Sequence, residues 1–208
     1  MKPREYRITR VKAGDADWHR SAPTAPVDCF PWGGLAGEDY RPATVAKLAT
    51  DGAAILVRME TDEEEQRAET KGFGMTHTDS CMEFFLSPDP AGSAAYLNWE
   101  FNPAGGMYLS TGTSRHDRTD IPAGDYRKLF AVKTGTTPAG WTLEYRIPLS
   151  FLQQRFPSID LKAGRLMRGN FYKCGDLTRR PHYGCWSPIN LPAPDFHCPD
   201  FFGTLVVG

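Results

Sequence analysis

The chain has 208 residues, with 24 basic and 25 acidic side chains and a formal net charge of −1. It is long enough to bury a core without disulfides or metal, and its length suits one all-β domain over residues 1–208. The balanced charge argues against nucleic acid or an anionic membrane as the main partner, because both favour a basic excess.

The first residues predict neither a signal peptide nor a membrane anchor. No apolar run follows the charged residues at the N-terminus, and no later stretch approaches the roughly 18 apolar residues of a membrane span. The sequence as it stands predicts a cytoplasmic protein, although a secreted protein that had lost its leader would read the same way. The five cysteines contain no C-x-x-C pair, which favours a reducing compartment.

Short strands separated by turn residues recur along the chain. Alternation predicts strands over residues 6–11, 43–50, 53–59, 81–86, 96–102, 107–110, 126–133, 141–147, 166–173 and 204–207. Asp51-Gly52 predicts a hairpin, and Pro148–Phe156 is the one predicted helix. The pattern predicts an all-β fold, a two-sheet antiparallel β-sandwich of immunoglobulin-like or jelly-roll type with one short helix.

Polar side chains recur at every second position on three of these strands. If the strands are neighbours, one face of the sheet carries Glu83, Asn98, Glu100, Arg168, Asn170 and Tyr172. Such a set suits a polyol, because carboxylates accept from hydroxyls, amides both donate and accept, and Arg offers a fork of donors. A solvated sheet face with surface ion pairs would show the same alternation.

An exposed indole beside this face would complete a sugar site, because its ring can cover the apolar C–H face of a pyranose. Trp186 is the leading stacking platform, since it lies in an irregular loop, and Trp32 is the second candidate. Packing in the core is the alternative for both rings.

Three other constellations stay open at this point. A Cys/His group matches no structural-zinc spacing, so metal ligands stay unknown; it comprises His182, Cys185, His197 and Cys198, with Cys174 nearby. Glu83 and Glu100 have the residue types of a glycosidase pair. The five histidines permit a haem axial pair with one of several methionines, without selecting one: Met59, Met75, Met107 and Met167.

An ordered set of segments points to a family. They are Asp79-Ser-Cys-Met-Glu83, Tyr96-Leu-Asn98-Trp-Glu100-Phe-Asn102, Arg168-Gly-Asn170, His182-Tyr-Gly-Cys-Trp186 and Pro194-Asp-Phe-His197-Cys-Pro-Asp-Phe-Phe-Gly203. Over roughly residues 40–207 the chain resembles the carbohydrate-binding family 9-like domains. These are relatives of modules attached to bacterial xylanases, within the DOMON-like β-sandwich superfamily.

The resemblance implies a sandwich that binds a mono- or oligosaccharide without hydrolysing it. In the attached modules two Trp rings hold the sugar, and structural calcium is present. Glu83 matches the acidic member of that site, Asn98 and Asn170 its amides, and Trp186 one Trp, whereas the second Trp and the calcium ligands have no counterpart here. Haem-binding members of the superfamily keep an electron-transfer domain as an alternative, beside a sugar-processing enzyme and a protein-interaction module.

Overall fold

The computed structural model describes residues 3–33 and 39–208. In these residues thirteen strands, β1 to β13, run over Glu5–Arg10, Ala25–Pro26, Thr44–Thr50, Ala54–Thr61, Cys81–Ser87, Tyr96–Phe101, Met107–Gly112, Arg118–Asp120, Lys133–Thr136, Trp141–Pro148, Leu166–Cys174, Tyr183–Cys185 and Gly203–Val207. Two short helices, α1 and α2, span Tyr126–Leu129 and Leu149–Gln153. Single 3₁₀ turns span Trp18–Arg20, Thr76–Thr78 and Pro199–Phe201.

The strands form two layers that β1 joins. The first layer has the order β8-β7-β6-β5-β11-β13, and β12 pairs with β11; the second has the order β3-β4-β10-β9, and β2 pairs with β3. Glu5–Ile8 of β1 pair in parallel with β13, while Thr9 and Arg10 pair in parallel with β3. The predicted all-β sandwich is therefore confirmed. It differs from the prediction of a purely antiparallel sandwich because β1 pairs in parallel with both of its neighbours.

Aromatic side chains of both layers fill the space between them. Phe101 of β6 lies 4.7 Å from Tyr145 of β10, measured between ring centroids, and Trp99 lies 6.2 Å from Phe151 of α2. Strand β10 alternates buried and partly exposed residues, as a strand covered on one face should. Every residue of β5 and β6 is buried, so the first layer is covered on its outer face as well.

Several local predictions hold and others do not. The Asp51-Gly52 hairpin is confirmed: Gly52 has a φ of +86°, and Asp51 Oδ1 accepts from the amides of Ala53 and Ala54. The predicted strand over 126–133 is wrong, because the Asp125 side chain accepts from the amide of Lys128 and starts α1 there. None of the helices in the described residues is both long and apolar enough to cross a membrane.

Candidate functional site

The outer face of the first layer carries the polar side chains that alternation predicts. Glu83 of β5 lies directly opposite Glu100 of β6 on one side and Tyr172 of β11 on the other. Asn98 and Asn170 both lie opposite Phe85. Directly opposed residues of antiparallel strands point to the same face. The predicted common face is therefore confirmed, and Arg168 belongs to it through its pairing with Ser87.

One part of this face is covered by the segment that follows β12. Residues 187–202 lie over it and enclose a second apolar core, made of Trp32, Cys81, Phe85, Tyr96, Tyr172, Cys174, Cys185, Ile189, Phe196 and Phe202. We call residues 187–202 the covering segment. The prediction of one open polar surface is therefore wrong, because aromatic residues within the alternating set bind this segment instead of water.

Three of the predicted ligand-binding residues hold the covering segment in place. Asn170 donates to the carbonyl of Ser187 at 2.9 Å and accepts from its amide at 2.7 Å. Arg168 donates to the carbonyls of Asp200 and Phe202. The Tyr172 ring stacks on Phe196 at 4.1 Å, and its hydroxyl donates to the Phe196 carbonyl. Asn170 and Tyr172 are fully buried, so these contacts give them a structural role in place of the predicted ligand contact, whereas Arg168 is partly exposed and stays a predicted ligand-binding residue.

Trp186 is not an exposed stacking platform. Its side chain is 2% exposed and belongs to the main core, where its ring packs against Tyr6 and Phe171. The reason is alternation: Cys185 lies opposite Tyr172 of the outer face, so the next residue turns inward. Trp32 is also buried; it packs on Phe196, and its Nε1 donates to the carbonyl of Leu191.

Another part of the face opens into a pocket of about 640 Å³. Buried Glu83, Glu100 and Cys174 form its floor. The remaining lining side chains are Met75, His77, Tyr108, Arg115, Arg118, Asp120, Asp176, Tyr183, Pro194, Asp195, Phe196 and His197. Of the seven predicted residues, Glu83 and Glu100 reach this pocket directly.

Asn98 lies beside the floor and links Glu100 to Arg118. Its Nδ2 donates to Glu100 Oε1 at 2.6 Å, and its Oδ1 accepts from Ser110 and from Arg118. The Arg118 guanidinium also lies 4.8 Å from the centre of the Tyr96 ring. Asn98 thus positions two charged groups of the pocket without lining it.

The floor carboxylates are held out of water. Glu83 is 2% exposed and Glu100 is 4% exposed. Burial raises the pKa of Glu100 to about 7, although the hydrogen bond from Asn98 lowers that pKa in part. Burial, and then the charge of Glu100, raise the pKa of Glu83 well above its usual range. Glu100 Oε2 is buried and makes no hydrogen bond of normal geometry; His77 Nδ1 lies 3.9 Å from it, and the Thr76 side chain is close enough to lower the pKa of Glu100.

The rim of the pocket combines aromatic rings with an ion pair. Arg115 Nε lies 3.2 Å from Asp195 Oδ1 and so ties the loop before β8 to the covering segment. Tyr108 lines the pocket, and Phe73, which is partly exposed, packs against it at 5.5 Å. These rings present aromatic surface where the sequence predicted an indole.

Sequence reasoning missed most of the lining residues. Tyr108 could have been found, because it lies opposite Glu100 in a predicted strand. Arg118 and Asp120 belong to β8, which is three residues long and gives no clear alternation. His77, Asp176 and Asp195 come from loops whose paths depend on tertiary contacts.

The other predicted constellations are dispersed. His182 lies with Lys173 and Glu63 in a separate buried cluster, and His197 bonds to the Tyr96 hydroxyl. Within the described ranges, the one group of three His, Cys, Asp or Glu side chains with ligand atoms close together is Cys81, Glu83 and Cys174. Three of the four methionines considered for haem, Met59, Met107 and Met167, are in the main core.

Comparisons with known proteins agree with one another on this domain. A model of carbohydrate-binding family 9 matches residues 17–207. A solved structure from Bacteroides uniformis, provisionally described as a carbohydrate-binding protein, is 31% identical over 100% of both chains, with a TM-score of 0.84.

Two structures of a family 9 carbohydrate-binding module from Caldicellulosiruptor kristjanssonii share the fold at lower identity. The complex with cellotriose is 15% identical, covers 98% of this chain and 93% of that one, and has a TM-score of 0.67. The complex with glucose is 16% identical, covers 99% and 96%, and has a TM-score of 0.63. The comparison with curated proteins gave no match.

Proposed function

The chain belongs to carbohydrate-binding family 9, a family of non-catalytic carbohydrate-binding domains, and we propose that its sugar binds in the pocket over Glu83 and Glu100. The buried Glu100 Oε2, which belongs to the pocket floor and makes no hydrogen bond of normal geometry, carries this proposal. A buried acceptor without a donor is costly, and a ligand hydroxyl would satisfy it.

The other side chains that line the pocket also suit a polyol ligand. Arg118 offers a fork of donors, while Asp120 and Asp176 offer acceptors for hydroxyl groups. Tyr108, Tyr183 and Phe196 offer aromatic surface for the C–H face of a sugar ring. Asn98 is a positioning residue, because it holds Glu100 and Arg118 in place from the side.

Glucose and cello-oligosaccharides are the first ligands to test, since the two Caldicellulosiruptor complexes contain glucose and cellotriose. The volume of about 640 Å³ lies within the usual range of small-ligand sites. We expect weak binding, because a small polar ligand gains little from burial beyond the cost of its own ordering.

Calcium, which the family resemblance implied, does not suit the donor cluster found in the described residues. That cluster contains two thiols, whereas calcium takes six to eight oxygen ligands. We assign calcium no part in sugar binding. Titrations with added calcium and with EDTA test this assignment, and equal affinities are expected.

Isothermal titration calorimetry of Arg118→Ala tests the pocket. Removing a charged hydrogen-bond donor should weaken sugar binding about tenfold or more. Arg20→Ala is the matched control, since Arg20 is exposed in the 3₁₀ turn that contacts β3 of the second layer, and this variant should bind like the unmodified protein. Equal affinities for the two variants would place the sugar elsewhere, and a wild-type protein that binds no member of a broad glycan panel would contradict the proposed ligand class.

A further inference from the structure

Two cysteines and a glutamate lie together at the floor of the pocket. Cys81 and Cys174 are directly opposite each other across β5 and β11, and Glu83 follows Cys81 by two residues on the same face. One ligand atom from each of the three lies within 4.8 Å of the others. The Cys174 thiol donates a hydrogen bond to Glu83 Oε1, with 2.9 Å between the sulfur and the oxygen. Because the strand ladder fixes these positions, the cluster is set by the backbone and not by flexible loops.

The cluster carries acid groups without a matching cation. Among the described residues, no ion pair includes Glu83, and the neighbouring Lys173 points to the opposite face, where it lies 3.0 Å from Glu63. Glu100 and Asp176 add two more carboxyl groups to the same pocket. A buried carboxylate whose hydrogen bond comes from one thiol is stabilised further when it holds a proton or a cation.

We propose that Cys81, Glu83 and Cys174 bind a thiophilic divalent cation such as Zn²⁺, with the fourth coordination position open to the pocket. Two sulfur ligands and one carboxylate oxygen are a donor set that zinc accepts and that oxygen-preferring ions do not. Three protein ligands and one open position are also the arrangement in which a bound zinc can take water or a ligand oxygen.

The pocket provides the path by which the ion enters, because Glu83 and Cys174 both line it while Cys81 lies behind them. A carboxylate has two oxygens, so Glu83 can give one to the metal and keep the other for the pocket. The metal site goes beyond the proposed sugar binding and does not depend on it. When both are present, a sugar hydroxyl can occupy the open position.

Cobalt titration of the reduced, metal-free protein tests the proposal. One equivalent of Co²⁺ should give a thiolate-to-cobalt charge-transfer band in the near ultraviolet, and added Zn²⁺ should abolish it. Cys81→Ser and Cys174→Ser should each lose at least half of the band, because each removes one of the two thiolates. Cys198→Ser, which changes a half-buried cysteine outside the cluster, should keep it.

Absence of the band in the wild-type protein would overturn the proposal, and so would its full retention in Cys174→Ser. If the buried serine variants fail to fold, Glu83→Gln decides the question. It keeps both thiols and should weaken cobalt binding at least tenfold, whereas an unchanged affinity would overturn the site. Sugar calorimetry on Cys81→Ser, whose residue does not line the pocket, is the separate readout: this variant should lose at least half of the cobalt band and keep sugar binding.

Discussion

His197 is a histidine whose surroundings keep it neutral. It lies in the covering segment, with Nδ1 2.9 Å from the Tyr96 hydroxyl and its ring 4.9 Å from Phe85. Burial, followed by the charges of Arg118 and Arg115, lowers the pKa of His197 to about 3, against a smaller opposite effect of Asp195. The folded protein therefore keeps this ring uncharged at pH values where the unfolded chain protonates it.

Stability should consequently fall in mild acid. The unfolded histidine has a pKa near 6.5, so stability contributed by neutral His197 is complete above that pH and is lost between about 6.5 and 3. The loss is at most about 1.4 kcal/mol per pH unit. In urea denaturation at a series of pH values, His197→Gln should show a shallower slope between pH 6.5 and 4.5.

The buried His182, whose pKa burial and Lys173 also lower to about 3, should leave a residual slope in that variant. An identical pH dependence in His197→Gln and wild type would contradict the neutral state of His197.

For individual residues, the alternation of polar and apolar side chains identified which residues share a face of the sheet. It did not show which segment covers that face. Glu83 and Glu100 were found because their strands have regular alternation. Trp186 was misplaced because a three-residue strand, β12, precedes it and fixes its direction. The composition of residues 187–202 does not indicate that they fold back over the sheet, because that path depends on tertiary contacts of His197 with Phe85 and of Phe196 with Tyr172.

The covering segment is the element that turns a sheet face into a pocket. It is largely irregular, and Asn170 fixes its start through two hydrogen bonds to Ser187. Arg115 holds its later part through Asp195. Because the covering segment forms few backbone hydrogen bonds with the sheet, these side-chain contacts keep it in one conformation.

Asn170→Ala should therefore loosen the covering segment. The change leaves the buried amide and carbonyl of Ser187 without partners, which should lower the free energy of unfolding by about 2–4 kcal/mol. Hydrogen exchange of residues 187–198 should accelerate more than that of β6. Asn190→Ala, an exposed change in the same segment, should leave both quantities unaltered. Equal protection in the two variants would show that Asn170 does not fix the segment.

The length of an element decided whether it could be predicted. The long strands β4, β10 and β11 have clear alternation and were found within a few residues of their bounds. Strands β8 and β12 are each three residues long, too short for a period of two to stand out. Helix α1 was read as a strand because its four residues give no helical period.

At the scale of the whole molecule, β1 is the strand that connects the two layers. It contributes to both ladders, and Ile8 is fully buried in the main core between them. The layer architecture followed from strand number and spacing, whereas this parallel connection did not, because alternation carries no information about strand direction.

Ile8→Ala should destabilise both layers together. Truncation of a buried isoleucine costs about 2–5 kcal/mol, and for a chain of this size each kcal/mol lowers the Tm by about 2–4 °C. Calorimetry should show one transition at a lower temperature. Arg7→Ala, an exposed change on the same strand, should shift it little. Two resolved transitions would mean that the layers unfold independently.

The pairing of β1 with β13 has a mechanical consequence. The two strands are neighbours and run in the same direction, from Glu5 beside Thr204 to Ile8 beside Val207. Tension applied between the two ends of the domain would slide one strand along the other and load their hydrogen bonds at the same time. A domain loaded in shear should resist pulling better than one that unzips a bond at a time, and its lifetime under force would be governed by the unfolding rate.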